Sequence, residues 1–599
     1  MKQDSIPARG EIAINDTWDL SKLFSNDEEW EAALAEYVKQ AEKIPSFKGT
    51  LGKSVENLEA WLVFFRDLRI LEERLGNYSE LRQTENEGDN AARTMTGKFT
   101  MEAAKVQAAS SWDLPEIIAI PGADMERFLS DKRLEEYRIN LLKLLRYKDH
   151  ILTEKEERIL ALHAEGEGVP NDAFSVLTNV DFDFGVIETA GGKRPLSQST
   201  WSVFMENPDR ALRENAYKTF YHQFDNHKNT IASLYSGQVK QDVIRARIRN
   251  FPSARSAALF PDNVDGKVYD NLIGTVGKNL DSLHRYYSLR KKVLKVSELR
   301  HYDVYVPLVG GAAKKTSWNE AVDLVTKALA PLGAEYTGTL RAGLLGRWAD
   351  RYENKGKRSG AFSAGSYTSD PYILMNYKDD SIRDVFTLAH EGGHSMHSYY
   401  SAKNNPFMHY SYTIFEAEVA STFNEELLFR HFIKNSSNDK ELKLYMVNKR
   451  VDDILATLYR QTMFAEFEKR THELEEGGEP LTVDVLRREY RGLLEKYFGS
   501  EMILEKESDL EGLRIPHFYR AFYVYKYATG ISAALALAER VLSGGENERE
   551  DYFRFLKSGG SRFPIESLKA AGVDMSSPAP VEAACAIFSR LVDELEGML

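Results

Sequence analysis

One segment near the middle of the chain constrains the fold more than any other, because its pattern is that of a helix with histidines on one face. The segment is SIRDVFTLAHEGGHSMHSYY (381–400). Ser381 followed by Asp384 resembles a helix-capping pair, and apolar residues recur after it at helical spacing. His390 and His394 lie four residues apart, so their imidazoles share a helix face, one turn apart, and can bind a single zinc ion.

Glu391 follows the first histidine and is rotated off the face that the two imidazoles share. From there its carboxylate can reach a zinc-bound water as a general base without becoming a ligand, as metal-assisted hydrolysis requires. Gly392 and Gly393 each cost a helix about 1 kcal/mol relative to alanine. A close approach by substrate or by a neighbouring helix would compensate for that cost. The segment therefore predicts a catalytic metal site.

A catalytic zinc site needs a third protein ligand and keeps one position open for water. His397 lies on the same helix face, but it is about 10 Å along the axis from His390, too far for three imidazoles to meet one ion. We therefore expect His397 to have a structural role or to support a ligand. The next helical segment, TIFEAEVASTFNEELLFRHF (413–432), offers the carboxylates of Glu416, Glu418, Glu425 and Glu426.

Spacing alone does not choose between Glu416 and Glu418 as the third ligand. Glu418 and Glu425 are seven residues apart, and the small Ser421 and Thr422 lie between them on the same side. This arrangement permits a close helix approach, with one carboxylate on the metal and the other behind it, orienting a ligand imidazole or a neighbouring backbone group. An ordinary solvated glutamate is the alternative interpretation of Glu425.

The remaining patterns indicate a large, mainly helical chain with two domains. Its 599 residues exceed what one core usually organises. Amphipathic helices are predicted from residue 26 to about 165, and NVDFDFGVIETAGGKRPLS (179–197) predicts a hairpin. We therefore expect a helical N-terminal domain over residues 1–195 and a catalytic domain over 196–599. Two further regions, residues 300–318 and 358–377, have strand-like composition.

Composition excludes several classes of protein. The single cysteine, Cys585, rules out an intramolecular disulfide and a multi-thiolate metal site, and it favours a reducing, cytoplasmic location. The net charge of -13 argues against nucleic-acid or anionic-membrane partners. The N-terminus lacks a signal-like apolar stretch, and ATGISAALALA (528–538) is about half the length of a membrane span. The oligomeric state is left open.

Two phrases, HEGGHSMH (390–397) and FEAEVASTFNE (415–425), resemble the oligoendopeptidase F branch of the thimet oligopeptidase family. The resemblance extends over about residues 200–595, through KGKRSGAF, GSY, PYILMNY, IPHFYRAFYVYKYATG and FLKSGGS, and the N-terminal portion resembles the N-terminal domain of that branch. In the family the third ligand is a glutamate in a phrase like EVAST, which selects Glu418.

The resemblance also implies a fold and an activity. Members are zincin-like metallopeptidases with a mostly helical, two-lobed fold, a small mixed β region and a deep channel that admits short peptides. One zinc ion per chain and cleavage of internal peptide bonds are the corresponding expectations. Cobalt and manganese are left open as substitutes. A hydrolase of non-peptide amides or esters, and a catalytically silent peptide binder, are the rival interpretations.

Substrate-binding residues are predicted in two further segments. An aromatic stripe such as that in RIPHFYRAFYVYKYATG (514–530) more often packs in a core. In the family, however, a histidine and tyrosines of this region bind substrate and stabilise the oxyanion. The resemblance thus implies catalytic roles for His517 and Tyr523 and substrate contacts for Tyr519 and Tyr527, leaving open which hydroxyl points inward.

The second segment is GSYTSDPYILMNY (365–377). Its extended backbone could pair with a peptide substrate by strand addition, which needs no particular substrate sequence. Gly365 and Tyr367 are the residues of this segment that we expect to contact substrate.

Overall fold

Helices form most of the chain, as the recurrence of apolar residues predicts. The computed structural model describes residues 6–164, 166–310, 315–436 and 439–599. The chain divides into two compact units, each assembled from separated stretches. The first unit comprises Met1–Ile151, Ala313–His431 and Leu537–Val573. The second unit comprises Leu152–Ala312, Phe432–Ala536 and Asp574–Leu599.

The bounds of the regular elements are as follows. The helices of the first half are α1 (Asp27–Ala41), α2 (Val55–Glu85), α3 (Asn90–Ser110), α4 (Asp113–Ile118), α5 (Gly122–Ser130), α6 (Arg138–Leu145), α7 (Glu154–Ala164), α8 (Val169–Val176), α9 (Trp201–Met205), α10 (Arg210–Ile248), α11 (Ala254–Leu259), α12 (Gly266–Lys278) and α13 (Asp281–Val293). Those of the second half are α14 (Trp318–Ala328), α15 (Ala334–Leu345), α16 (Ile382–Asn404), α17 (Phe407–Tyr410), α18 (Ile414–Asn435), α19 (Lys440–Ile454), α20 (Gln461–Glu476), α21 (Val483–Phe498), α22 (Tyr525–Ser543), α23 (Glu546–Ser558), α24 (Pro564–Ala570) and α25 (Ala579–Met598). The strands are β1 (Val186–Thr189), β2 (Gly192–Pro195), β3 (Leu299–Arg300), β4 (Ala349–Asp350), β5 (Phe362–Ala364), β6 (Tyr372–Leu374) and β7 (Met502–Ile503).

Large aromatic side chains build the core in which the N-terminal helices of the first unit pack. Trp30 of α1 and Trp61 of α2 are fully buried, and the indole of Trp30 donates to the Leu75 carbonyl at 2.9 Å. Tyr372 and Leu374 of β6 belong to the same core. The helices α1 to α3 are thereby joined to the small sheet that lies beside the histidine helix.

That sheet has the order β4-β6-β5, with β4 parallel and β5 antiparallel to β6. Residue Ile373 of β6 pairs with Ala349 on one side and Ser363 on the other. The central strand is completely buried, and α16 packs against both β5 and β6. The sheet therefore gives the histidine helix a fixed support.

The second unit is organised around the 39-residue helix α10. The carboxylate of Asp209 caps this helix by accepting the N–H of Ala211 at 3.0 Å. Helix α19 continues into α20 through a π-helical turn, Leu455–Arg460. The guanidinium of Arg460 forms a buried ion pair with Glu511 at 2.6 Å.

Most structural expectations hold, and one is wrong. The fold class, mainly helical with a small mixed β region, is confirmed. So is the predicted hairpin, in which β1 and β2 pair across a turn whose Gly192 has a φ of 103°. In the strand-like region 300–318, however, Arg300 is the one described residue in a strand, as the end of the two-residue β3, and a 3-10 turn (His301–Asp303) follows. Asp303 explains this, because its carboxylate accepts the N–H of Arg300 and closes a local turn.

Two other expectations concern larger features. The domain boundary expected near residue 195 lies inside the second compact unit and not at an end of either unit. The division of the sequence into two domains at this point stays a prediction. The deep channel also stays a prediction. Among the residues described, none of the helices has the length and apolarity needed to cross a bilayer.

Candidate metal centre

The histidine helix α16 begins at Ile382 with Ser381 as its N-cap residue, as the sequence predicts, although the Ser381 side chain makes no capping bond to the helix backbone. The hydroxyl of Ser381 donates to the carboxylate of Asp384 at 3.0 Å, and that carboxylate also accepts the N–H of Lys378 at 2.8 Å. Asp384 also places a negative charge in the first helical turn, where the helix dipole favours it. The start of the helix is therefore defined by local polar bonds.

Helices α16 and α18 approach each other so closely that Gly393 has no room for a side chain. A Cβ atom built on this glycine would lie 2.5 Å from the Ala420 carbonyl oxygen and 2.6 Å from the Ser421 Cα. A Cβ on Gly392 would meet Leu340 side-chain atoms at 3.3 Å or more. The close contact between α16 and α18 therefore explains why position 393 is a glycine despite its cost in helix propensity.

Three side chains on these helices converge. The Nε2 atoms of His390 and His394 lie 3.2 Å apart, and the Glu418 Oε2 atom lies 3.5 Å from the first and 3.8 Å from the second. In a tetrahedral zinc site with Zn–N bonds of about 2.1 Å, neighbouring ligand atoms lie about 3.4 Å apart. Among the residues that the structure describes, this is the group of histidines and carboxylates with the geometry to hold a metal ion.

The carboxylate of Glu425 contacts Nδ1 of His390, the ring nitrogen that does not belong to the converging group. Its Oε1 atom accepts from Nδ1 of His390 at 2.7 Å, which leaves Nε2 of that ring to face His394 and Glu418. Burial favours the neutral ring, but the Glu425 carboxylate outweighs it and raises the pKa of His390 to about 9. Ligand histidines in zinc sites characteristically bond a carboxylate in this way.

The electrostatics of the cluster suit metal binding. Burial and the neighbouring His390 lower the pKa of His394 to about 3, so this imidazole is neutral and its Nε2 lone pair is free to coordinate. Two imidazole nitrogens and a carboxylate oxygen within 3.8 Å of one another are the donor set of a catalytic zinc site. The residues present thus fit a zinc ion.

Glu391 is almost completely buried beside these groups, with 6% of its surface exposed. Burial raises its pKa, and the carboxylates of Glu418 and Glu425 add to this effect, so that it reaches about 7 despite the opposing influence of His390. A carboxylate with a pKa near the working pH can both take and return a proton.

His397 is not part of the converging group. Its ring stacks on Tyr412 with the centroids 3.7 Å apart, and it is 1% exposed. The hydroxyl of Tyr412 in turn bonds with that of Ser398 at 2.9 Å. This position favours the structural role expected for His397. Whether it supports a ligand stays a prediction.

The segment containing Gly365 and Tyr367 lies against α16. Ser363 of β5 bonds with Ser395 of α16 at 2.8 Å, and a Cβ on Gly365 would meet the Ser398 hydroxyl oxygen at 2.6 Å. Strand β6 has neighbours on both sides, so its backbone is not available for strand addition. Within the described residues, the outer side of β5 carries no paired strand.

Sequence reasoning missed a residue that holds this segment. Glu73 of α2 accepts the N–H of Tyr367 at 2.8 Å and also bonds the hydroxyl of Tyr410. The carbonyl of Gly365 accepts from Asn77 at 3.3 Å. Glu73 lies in an ordinary charged helical stretch, 294 residues from Tyr367 and 337 from Tyr410, so no local signal marks it.

The remaining predicted residues form a cluster of their own in the second unit. The ring of His517 lies 6.1 Å from that of Tyr523, and the hydroxyl of Tyr527 bonds that of Tyr523 at 3.3 Å. His517 is exposed, and the two tyrosines are half-buried. Tyr519 is different, because its ring is buried and stacks on Phe174 at 4.7 Å. The position of Tyr519 favours a packing role. The catalytic and substrate-binding roles expected for the four residues of this segment stay predictions.

Comparisons with known proteins cover nearly the whole chain. A family model described as Peptidase family M3 matches residues 203–587, and one described as Oligopeptidase F matches residues 116–184. The Oligoendopeptidase F homolog of Borreliella burgdorferi is 43% identical, over 98% of this chain and 99% of the relative. Oligopeptidase PepF of Bacillus subtilis is 41% identical, over 100% of this chain and 89% of the relative. The crystal structure of oligoendopeptidase-F from Enterococcus faecium has a TM-score of 0.76 and 32% identity, covering 96% of this chain and 99% of that one.

Proposed function

We infer the function from the family: the chain belongs to peptidase family M3, in its oligoendopeptidase F branch. It is a metalloendopeptidase. We propose that it holds one zinc ion per chain on His390, His394 and Glu418 and hydrolyses internal bonds of short peptides. The observation that carries the proposal is the convergence of these three ligand atoms beside the buried Glu391.

The chemistry follows from the charges of the site. Bound zinc supplies Lewis-acid chemistry, acidifying a water molecule and polarising the scissile carbonyl. Glu391 takes a proton from the attacking water while the water oxygen bonds to the carbonyl carbon. Glu391 then gives that proton to the leaving nitrogen as the C–N bond breaks. Its pKa of about 7 allows both transfers near neutral pH.

Glu425 has a supporting role in this proposal. Its bond to Nδ1 of His390 fixes the tautomer and the orientation of that ring. A ligand that is already oriented loses little entropy when the ion binds. Glu425 therefore contributes to zinc affinity without touching the metal.

We propose that substrate binds in an extended form along the outer side of β5, next to α16. Backbone pairing with a strand edge is independent of the side chains of the peptide, which agrees with broad specificity. Gly365 and Tyr367 follow β5 directly, and the bonds from Glu73 and Asn77 hold them in place. We assign to them the contacts with the substrate backbone beyond the strand.

His517 and Tyr523 are the proposed donors to the oxyanion that develops on the scissile carbonyl. His517 is exposed and Tyr523 is half-buried, so neither side chain is fully enclosed in the core of the second unit. Tyr527 bonds the Tyr523 hydroxyl and is a proposed substrate contact. Removing one such donor lowers turnover by about 10²- to 10³-fold in enzymes with comparable oxyanion sites.

Two further proposals concern the chain as a whole. We keep residues 1–195 and 196–599 as the sequence domains, since the two family models match on either side of residue 195. We also propose a cytoplasmic location. The single cysteine, Cys585, is buried and free, so the protein is stabilised by no disulfide, as is usual for proteins of a reducing compartment.

The decisive experiment compares zinc content and peptide hydrolysis in wild type, Glu391→Gln and Glu418→Ala. Quenched fluorogenic peptides of increasing length, an unfolded protein and a simple ester serve as substrates, and Glu335→Gln on the exposed side of α15 is the control. We expect Glu391→Gln to keep its zinc and lose activity, and Glu418→Ala to lose zinc.

Other results would contradict the proposal. Normal turnover by Glu391→Gln would exclude the general-base role. Hydrolysis of the ester without cleavage of any internal peptide bond would favour the non-peptide hydrolase. Full zinc content in Glu418→Ala would move the third ligand elsewhere.

A further inference from the structure

Phe522 has a backbone conformation that a bulky residue rarely adopts. Its φ is 54°, in the left-handed region, where the Cβ atom crowds the following carbonyl. Among the other described residues with positive φ, those that are not glycine are Asn250, Asn263 and Lys295. Asparagine tolerates this region through local hydrogen bonds, whereas phenylalanine has no such compensation. A contact from elsewhere in the fold has to hold Phe522 in place.

Glu468 of α20 supplies that contact. Its Oε1 atom accepts the N–H of Phe522 at 3.0 Å. The carboxyl group is completely buried, and its Oε2 atom has no hydrogen-bond partner in the described part of the chain. Burial raises the pKa of this carboxyl group well above its usual range.

The buried carboxyl group of Glu468 and the left-handed backbone of Phe522 are each unfavourable by themselves. A buried carboxyl group with one unsatisfied oxygen destabilises the fold, and so does a left-handed aromatic residue. Leucine at position 468 and a relaxed backbone at position 522 would avoid both costs. Strain of this kind is concentrated at functional sites, where the surrounding structure maintains it because the geometry is needed.

The geometry determines the direction in which Tyr523 faces. The ring of Phe522 is buried, 4.6 Å from His472 and 5.7 Å from Tyr269. Tyr523 follows immediately and lies half-buried, with its ring parallel to that of His517. The left-handed residue thus lies at the turn between a buried phenylalanine and a half-buried tyrosine.

We propose that Glu468 is a positioning residue, which holds Phe522 in its left-handed conformation and thereby presents Tyr523 and His517 to the substrate. The inference rests on the proposed function, in which these two side chains donate to the oxyanion. Without the Glu468 bond, the backbone at Phe522 relaxes toward negative φ and the Tyr523 hydroxyl leaves its place. The zinc ligands are unaffected.

The test is a double-mutant cycle between Glu468→Leu and Tyr523→Phe. Each single variant should lower kcat by at least about 10-fold, up to the 10²- to 10³-fold typical of a lost oxyanion donor, with zinc content unchanged. Since Glu468 acts through Tyr523, the double variant should be no slower than the slower single variant. Glu468→Gln keeps an acceptor oxygen and should restore most of kcat.

Controls separate positioning from simple structural support. Glu473→Gln, on the same helix, removes an exposed carboxylate and should leave kcat and KM unchanged. Thermal unfolding identifies variants with a damaged fold, and Glu468→Met replaces Glu468→Leu if the latter does not fold. A structural role alone would lower stability in both apolar variants and leave kcat of the folded protein intact.

Two results would overturn the proposal: a wild-type kcat in folded Glu468→Leu, or losses from the two single variants that multiply in the double variant. Failure of the proposed function is recognised separately. In that case the wild-type protein would cleave no peptide, whether or not it binds zinc, and the positioning role would be refuted as well.

Discussion

Replacing Gly393 with alanine tests the helix contact on which the metal centre depends. The added methyl group would lie 2.5 Å from the Ala420 carbonyl oxygen and 2.6 Å from the Ser421 Cα, and both are backbone atoms that cannot rotate away. To reach an ordinary contact of 3.4 Å, α18 has to move away from α16 by about 0.9 Å. Glu418 lies on the same stretch of α18 and moves with it.

Two effects on stability oppose each other in this variant. Overpacking costs about 1–3 kcal/mol, and the better helix propensity of alanine returns about 1 kcal/mol. We therefore expect the free energy of unfolding to fall by no more than about 2 kcal/mol, so the protein still folds. Metal sites, in contrast, tolerate ligand displacements of only about 0.2 Å.

The zinc affinity should therefore respond more than the stability. We expect the zinc Kd of Gly393→Ala to rise at least about 10-fold, equivalent to about 1.4 kcal/mol, and kcat to fall as the site loses its metal. Competition with a chromophoric chelator measures the Kd, and urea unfolding measures the stability.

Gly392→Ala is the matched control, one position away on the same helix. Its methyl group would meet the flexible Leu340 side chain at 3.3 Å, and no backbone atom is among its nearest neighbours. This variant should bind zinc like the wild type and be slightly more stable, since alanine favours the helix. Equal zinc affinity in both alanine variants would refute the argument that the glycine sets the distance between the helices.

Three further predictions follow from the polar contacts of the two units. Glu425→Ala removes the acceptor of the His390 Nδ1–H, so the zinc Kd should rise about 10- to 100-fold in a chelator competition, and an unchanged Kd would contradict the orienting role. Because the Glu425 carboxylate raises the pKa of His390 to about 9 against the effect of burial, zinc must displace a proton below that pH. Zinc affinity should accordingly increase about tenfold per pH unit between pH 7 and 9, and a flat profile would contradict this. Arg460→Met leaves Glu511 buried without its cation, so the free energy of unfolding should fall by about 3–5 kcal/mol in urea, whereas a loss below about 1 kcal/mol would show that the pair is replaceable.

The same buried pair predicts how the second unit responds to acid. Burial would raise the pKa of Glu511, but Arg460 outweighs it and lowers that pKa to about 2. A carboxylate with a depressed folded pKa contributes stability above its unfolded value of about 4.3. That contribution is lost as the pH falls from about 4.3 toward 2.

The local elements of the site could be predicted because their signals are short in sequence. The start of α16 depends on bonds that Asp384 accepts from Ser381 and Lys378, three and six positions away. The two histidines share a face because helical geometry places every fourth residue there. The hairpin formed by β1 and β2 depends on a glycine with positive φ. None of these features requires knowledge of distant parts of the chain.

The third ligand shows where residue patterns become insufficient. Spacing left Glu416 and Glu418 as alternatives, and only the family resemblance favoured Glu418. The structure brings the Glu418 carboxylate to the histidines, because the contact at Gly393 fixes both the distance and the rotation of α18. Neither quantity is encoded in the local pattern of either helix.

The errors have a similar cause. Residues 300–318 have strand-like composition, but short strands form only where a partner is available, and a side-chain bond from Asp303 makes a turn instead. The extended segment 365–377 suggested an edge for substrate, whereas β6 within it is covered on both sides. Burial and edge position are properties of the assembled sheet.

The amino-acid sequence by itself determined the helical class, the two histidines and Glu391 of the histidine helix, and the exclusion of a multi-thiolate metal site, because each depends on residue type and near-neighbour spacing. Tertiary structure alone decided which carboxylate meets the histidines, that Glu425 bonds Nδ1 of His390, and that Glu468 accepts the N–H of Phe522. These contacts join residues between 24 and 54 positions apart, and only side-chain packing between helices brings such residues within bonding distance.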